Sequence, residues 1–179
     1  MERRSFLRIF GGGALALACS PRGASGGPSV ASPPVETPAV DLPARPPKVE
    51  ALVKSPEEWA KLLPRDRFHV LREQGTERAF SGALWNAHGK GLFRCAGCGL
   101  GLFHSAEKFD SGTGWPSFTR PWVAGFVGER KDASHGMVRT EVVCARCQGH
   151  LGHVFDDGPA PTGLRYCINS ASLVFAPEG

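Results

Sequence analysis

Two cysteine pairs constrain this chain more than any other feature. Cys95-Ala96-Gly97-Cys98 and Cys144-Ala145-Arg146-Cys147 each hold two thiols two residues apart. At that spacing one tight turn can offer both sulfurs to a single tetrahedral ion. Gly97 and Gly99 permit the turn geometry. Two such knuckles, each at a strand end, make a closed four-sulfur site of the structural-zinc kind. The gap of 45 residues between Cys98 and Cys144 is longer than in a compact zinc ribbon. An ion there would clamp distant strands together, as a small β-domain with few core residues needs. Three rival readings stand beside it. The pairs could be redox dithiols, although neither sits on the strand-to-helix pattern of a thioredoxin-like motif. They could be disulfides in an oxidising compartment. Cys144, Cys147, His150 and His153 also have a spacing that allows a local metal site. One zinc on Cys95, Cys98, Cys144 and Cys147 is the expectation, because it explains both pairs and leaves the histidines free for chemistry.

The chain around these knuckles reads as mainly β. Ser55-Pro56-Glu57-Glu58 is a capping box with Pro at the first helical position, and Trp59, Leu62 and Leu63 form an apolar face up to Pro64. Asp66 to Gln74 suggests a second short helix with Phe68, Val70 and Leu71 inward. From Phe80 onward Gly and Pro recur between short apolar runs, the habit of an all-β unit. The expected strands are 91–95, 100–103, 122–127, 136–143, 153–156, 164–169 and 171–175. A length of 179 residues provides for one core. From Lys48 onward 16 Lys and Arg face 14 Asp and Glu, a balance of +2. With no basic stripe carrying aromatics, nucleic-acid binding has little support. No Rossmann or P-loop glycine pattern is present.

The first 47 residues have a different character. Residues 1–19 read as an export signal, with the twin-arginine-like Glu2-Arg3-Arg4-Ser5-Phe6-Leu7-Arg8 before a small apolar run, Gly11 to Ala18. That run is too short to span a bilayer as a mature helix. Leu15-Ala16-Leu17-Ala18-Cys19 resembles a bacterial lipobox in which Cys19 would carry lipid, although Ala16 stands where Leu is commoner. Residues 20–47 hold eight prolines and few large apolar side chains, so a disordered, partly polyproline linker is expected. Residues 48–179 then form the folded domain. The expected setting is an exported protein of the bacterial periplasm or cell envelope, lipid-anchored to a membrane. A twin-arginine route exports folded chains, so zinc would load while the thiols are still reduced.

The chemistry concentrates between Gly149 and Ser172. Period-2 alternation after the Pro/Gly turn puts Arg165, Cys167 and Asn169 on one strand face and Tyr166, Ile168 and Ser170 on the other. A thiol between a cation and an amide, with His150 and His153 one hairpin away, is a setting for an activated nucleophile. Arg165 and a protonated imidazole would favour the thiolate, the histidines are natural proton donors near neutral pH, and Asn169 can orient a bound group. Asp157 can pair with Arg165 or a histidine, or serve only the turn at Gly158-Pro159. A lone cysteine is more often a small buried hydrophobe, and Trp115 taken alone is ordinary core.

Several ordered motifs weigh against that plain reading. His150-Leu151-Gly152-His153-Val154-Phe155-Asp156-Asp157-Gly158-Pro159 and Arg165-Tyr166-Cys167-Ile168-Asn169-Ser170 resemble the C-terminal signature of the B-class peptide methionine sulfoxide reductases. Gly112-Thr113-Gly114-Trp115-Pro116-Ser117-Phe118, the two cysteine pairs and Gly75-Thr76-Glu77-Arg78-Ala79-Phe80 match the same family in the same order, over about residues 55–177. The resemblance implies two antiparallel sheets, sandwich- or open-barrel-like, clamped by a four-cysteine zinc, with short N-terminal helices. It implies reduction of the R epimer of peptidyl methionine sulfoxide by Cys167, with Trp115 packing on the sulfoxide methyl. A thiolate attack with a proton on oxygen leaves a sulfenic acid on Cys167. Many members resolve that acid with a cysteine at the place of Thr113. Here Cys19 and four zinc cysteines account for the rest, which points to a one-cysteine enzyme, monomeric, serving oxidised protein substrates and regenerated by an external thiol or thioredoxin-like reductant. The alternative from another class is a non-enzymatic zinc-bearing binding module, which would need the knuckles but not Cys167, His150, His153 and Trp115 together.

Overall fold

The computed structural model describes residues 48–179. The expected signal, lipidation at Cys19 and linker over 20–47 lie outside the described residues. Helix α1, Pro56–Leu62, starts where the capping box requires. The Ser55 hydroxyl accepts from the Glu58 amide at 3.3 Å and the Glu58 carboxylate accepts from the Ser55 amide at 2.7 Å. Trp59 and Leu63 are buried, but Leu62 is 59% exposed. Successive residues turn by about 100° on a helix, so a seven-residue segment that buries Trp59 and Leu63 swings Leu62 outward. Helix α2, Arg65–Glu73, buries Val70 and Leu71 and ends on Gln74 in the left-handed conformation.

Nine strands form two antiparallel sheets. The smaller contains β1 (Gly91–Cys95), β2 (Gly101–His104) and β9 (Leu173–Pro177), in the order β2-β1-β9. The larger contains β3 (Lys108–Phe109), β4 (Ser117–Phe118), β5 (Val127–Asp132), β6 (Arg139–Cys144), β7 (His150–Phe155) and β8 (Arg165–Ile168). Its order is β3-β4-β8-β7-β6-β5. The core lies between the sheets, where Phe103 of the smaller stacks on Phe118 of the larger at 4.5 Å and Phe93 meets Phe118 edge-on at 5.0 Å. Leu102, Leu151, Tyr166, Ile168 and Leu173 complete it, with Trp59 and Leu71 from the helices.

Three expected strands are displaced. Residues 122–126 form a turn, because Trp122 and Phe126 pack on each other at 6.4 Å, and the strand begins at Val127. A 3-10 turn, Ser134–Gly136, delays β6 to Arg139, and a second, Ser170–Ser172, delays β9 to Leu173. In contrast, β7 begins three residues earlier than expected, at His150.

Candidate active site and metal centre

Cys167 sits in the middle of the larger sheet, half-buried, with a neighbour on either side. Its register partners are His153 on β7 and Ser117 on β4. Alternation along β8 sends Tyr166 and Ile168 into the core and Arg165 and Cys167 to the opposite face. Arg165 forms a bidentate pair with Asp157, both contacts at 2.8 Å, and its guanidinium lies 4.5 Å from the Phe155 ring centroid. The expected partner of Asp157 is thus Arg165 and not a histidine. Burial pushes the Cys167 thiol up, while the Arg165 charge and a hydrogen bond from Thr113 pull it down without reversing the shift.

A bulge brings the two histidines to one face. Positions three apart on a regular strand face opposite ways. On β7, however, Gly152 pairs with Val142 and His150 with Val143, leaving Leu151 as the extra residue. The two imidazole centroids are therefore 5.4 Å apart. Only glycine fits at 152, since a Cβ there would stand 2.0 Å from the Cys167 carbonyl oxygen.

Each histidine has a carboxylate that sequence reasoning missed. His150 Nδ1 bonds Glu141 Oε1 at 2.7 Å, with Arg130 on the other carboxylate oxygen at 3.2 Å. Burial holds the His150 imidazole below its ordinary range despite Glu141. Its Nε2 is buried and free of protein partners. His153 Nε2 bonds Asp132 Oδ2 at 2.8 Å, and Asp132 also accepts from the Ser134 amide and Arg139. These contacts hold the Asp132 carboxyl well below its usual range, the bonds to Ser134 most of all. Glu141 directly precedes the apolar run Val142-Val143-Cys144, and that position was the available signal for it.

Asn169 is buried rather than open to solvent. Its amide nitrogen donates to the Leu151 carbonyl at 3.0 Å and its oxygen accepts from the Glu77 amide at 3.1 Å. Glu77 reaches further: its carbonyl accepts from Trp115 Nε1 at 3.1 Å, and its carboxylate accepts from the Ser170 and Ala171 amides at 2.6 and 2.8 Å. Thr113, Ser111 and Ser117 form a short hydroxyl chain beside Cys167, with contacts of 2.8 and 2.7 Å. Two surface grooves of about 640 and 570 Å³ are not lined by Cys167.

The four paired cysteines converge elsewhere. Their sulfurs all lie within 4.8 Å of one another. The shortest separations run between the knuckles, Cys95 to Cys147 at 3.6 Å and Cys98 to Cys144 at 3.5 Å. A tetrahedral ion with zinc–sulfur bonds of ~2.3 Å would have sulfur–sulfur edges of about 3.8 Å, so the set fits. All four are free thiols, and contacts between the knuckles bring both pairs together, the arrangement that one shared ion needs. Among the described residues the cluster joins the four cysteines without His150 or His153, so the local Cys/His site is not what forms. Crowding against Cys144 drives the Cys95 thiol up and draws Cys98 and Cys147 down, while Cys147 drives Cys144 up. Such sharing of protons is what a divalent cation would replace. Cys95 and Cys144 end β1 and β6, one in each sheet, so a metal here would join the two sheets.

A thiol flanked by a strand-paired histidine and a carboxylate-bound arginine, with a separate four-thiol cluster suited to a metal ion, has the makings of a thiol oxidoreductase. A SelR domain model matches residues 63–177. The peptide methionine sulfoxide reductase MsrB of Thiobacillus denitrificans is 60% identical over 125 residues, covering 70% of this chain and 95% of that protein. The MsrB proteins of Bradyrhizobium diazoefficiens and Methanosarcina barkeri are 58% and 57% identical, over 93% and 91% of their lengths. The chain belongs to this family, the B-class peptide methionine sulfoxide reductases, and is an oxidoreductase that acts on methionine sulfoxide.

Proposed function

We propose that the chain reduces the R epimer of methionine sulfoxide in peptide linkage through a sulfenic acid on Cys167. The observation that carries the reading is the register of β7, β8 and β4, which sets Cys167 between His153 and Ser117. The Cys167 sulfur bonds to the sulfoxide sulfur as its proton passes to the sulfoxide oxygen. His153 mediates that transfer while its bond to Asp132 fixes the ring. His150 adds its buried, unpartnered Nε2 to the same face, where it can hold the oxygen or a water. The substrate's sulfur–oxygen bond and the new sulfur–sulfur bond then break as the oxygen transfers to Cys167: thiol and sulfoxide become sulfenic acid and methionine, a two-electron exchange. One external thiol displaces that oxygen as water and forms a mixed disulfide, and a second releases Cys167. Trp115, held by the Glu77 carbonyl, is placed to receive the sulfoxide methyl. Asn169 holds the end of β8 against Leu151 and Glu77 and acts by positioning.

The four-cysteine centre holds zinc in this reading, and when bound it supplies cross-linking between the sheets and no reaction step. The sequence of residues 1–47 supports an exported, lipid-anchored enzyme that repairs oxidised envelope proteins and draws on an external thiol or thioredoxin-like reductant. The test is turnover of the separated R and S epimers of a blocked methionine sulfoxide with dithiothreitol. Turnover of the R epimer alone, abolished by Cys167→Ser, is expected. Equal turnover of both epimers, or an active Cys167→Ser protein, would overturn the proposal.

A further inference from the structure

Arg72 packs against the four-cysteine centre with two of its three guanidinium nitrogens buried and unpartnered. Arg72 projects from α2, its plane 3.9 Å from the Trp59 ring centroid, and Nη1 donates to the Cys147 carbonyl at 2.8 Å. Nε and Nη2 are inaccessible to solvent and have no hydrogen-bond partner. An unpaired buried cation is costly, and protein interiors rarely tolerate one without an opposite charge. Two glycines show what Nη2 faces. A Cβ on Gly149 would lie 3.2 Å from Nη2 and 3.4 Å from the Cys147 sulfur. One on Gly97 would lie 3.4 Å from Nη2 and 3.6 Å from the same sulfur. Both glycine gaps are therefore bordered by the guanidinium and by the Cys147 sulfur, with the Leu71 side chain alongside.

We propose that Arg72 is the counter-charge of the metal-loaded centre. Four thiolates on one divalent cation leave a net charge of −2, and a buried guanidinium beside Cys147 offsets part of it. The inference rests on the reading of the four cysteines as a metal site. It makes Arg72 a positioning residue for metal retention, and it fastens α2, through the loaded centre, to both sheets. Residue 72 plays no part in the chemistry at Cys167.

The experiment is metal release from the purified full chain. Zinc per chain is first measured by mass spectrometry, and a value near zero in the unaltered protein would overturn the metal reading itself. Release to a chromogenic chelator is then followed in Arg72→Gln, which keeps a donor for the Cys147 carbonyl but removes the charge, and in Arg72→Lys, which keeps the charge. Loss of a partner outside the ligand set typically weakens metal binding by about 10–100-fold, and acceleration of that order is expected for Arg72→Gln. Arg72→Lys should stay much closer to the unaltered protein. Equal release from Arg72→Gln and the unaltered chain, or equally fast release from both variants, would show that charge is not what Arg72 supplies. If Arg72→Gln does not fold, Arg72→Lys decides alone, since loss of zinc from it on that same scale contradicts the proposal. A cobalt-loaded sample gives an independent reading: the sulfur-to-metal charge-transfer band should shift when the guanidinium is removed and hold its position with lysine.

Discussion

Burial and the Arg165 charge oppose each other at Cys167, the nucleophile of the proposed reaction. Its thiol is raised by burial, with Arg165 and Thr113 acting against that rise. Removing the cation should therefore raise it further, not lower it. The rate of Cys167 alkylation by iodoacetamide is expected to climb with pH, with a midpoint above that of an ordinary cysteine. Arg165→Met should move the midpoint higher still, and an unchanged profile would show that Arg165 does not act on the sulfur. Asp132 makes a second prediction at this scale, since it orients His153 from Nε2. General acid–base catalysis contributes about 10²–10⁴-fold, and His153→Ala should lose that much turnover. Asp132→Asn should lose less, with the metal retained in both. At this scale the sequence was informative only where a contact is local. Alternation along one strand places Arg165 and Cys167 on a common face. The carboxylates of Asp132 and Glu141 reach their histidines only through sheet register, across 21 and 9 positions, which no local pattern encodes.

Among the elements, the strap from Gly75 to Leu84 has no regular structure, yet it ties the Trp115 loop to the end of β8. Glu77 contacts Trp115, Asn169, Ser170 and Ala171, and the Phe80 amide donates to the Gly114 carbonyl at 2.9 Å. A Cβ on Gly114 would approach the Phe80 nitrogen to 2.7 Å, so the two loops touch backbone to backbone. Replacing Glu77 by Gln puts an amide donor among backbone donors while preserving side-chain size. The expected outcome is a raised KM for sulfoxide with a smaller change in kcat, because loosening the Ser170 and Ala171 amides lets the strap shift and moves the Glu77 carbonyl that holds Trp115. An equal fall in kcat alone would place the effect at the sulfur instead. The strap explains a motif that was legible as a string, Gly75 to Phe80, but not as a function. Strands β3 and β4 were illegible for a different reason. With two residues each, they show no periodicity and exist only through pairing with β8 and each other.

Over the whole molecule, the two sheets share a core around Phe93, Phe103 and Phe118 and converge on the four-cysteine centre. Structural zinc contributes about 10–16 kcal/mol in zinc-finger peptides. Net domain stability is only about 5–15 kcal/mol. Loss of the metal is therefore expected to unfold the domain, and Cys95→Ser should show a collapsed or absent thermal transition. A well-folded, metal-free Cys95→Ser protein with unaltered melting would contradict this. The mainly β class and the four ligands were legible in the sequence because Gly/Pro punctuation and cysteine spacing are themselves sequence patterns. That one ligand pair ends each sheet depended on topology. In the proposed reaction Cys167 has no resolving partner among the described residues, since Thr113 fills the nearby position and Cys95, Cys98, Cys144 and Cys147 are gathered in their own cluster. The most direct measurement is a single-turnover reaction with methionine-R-sulfoxide in the absence of reductant, analysed by mass spectrometry. One methionine per chain, a dimedone adduct on Cys167 and no intramolecular disulfide are predicted. A disulfide from Cys167 to another cysteine of the chain, or an adduct elsewhere with Cys167→Ser still active, would contradict it.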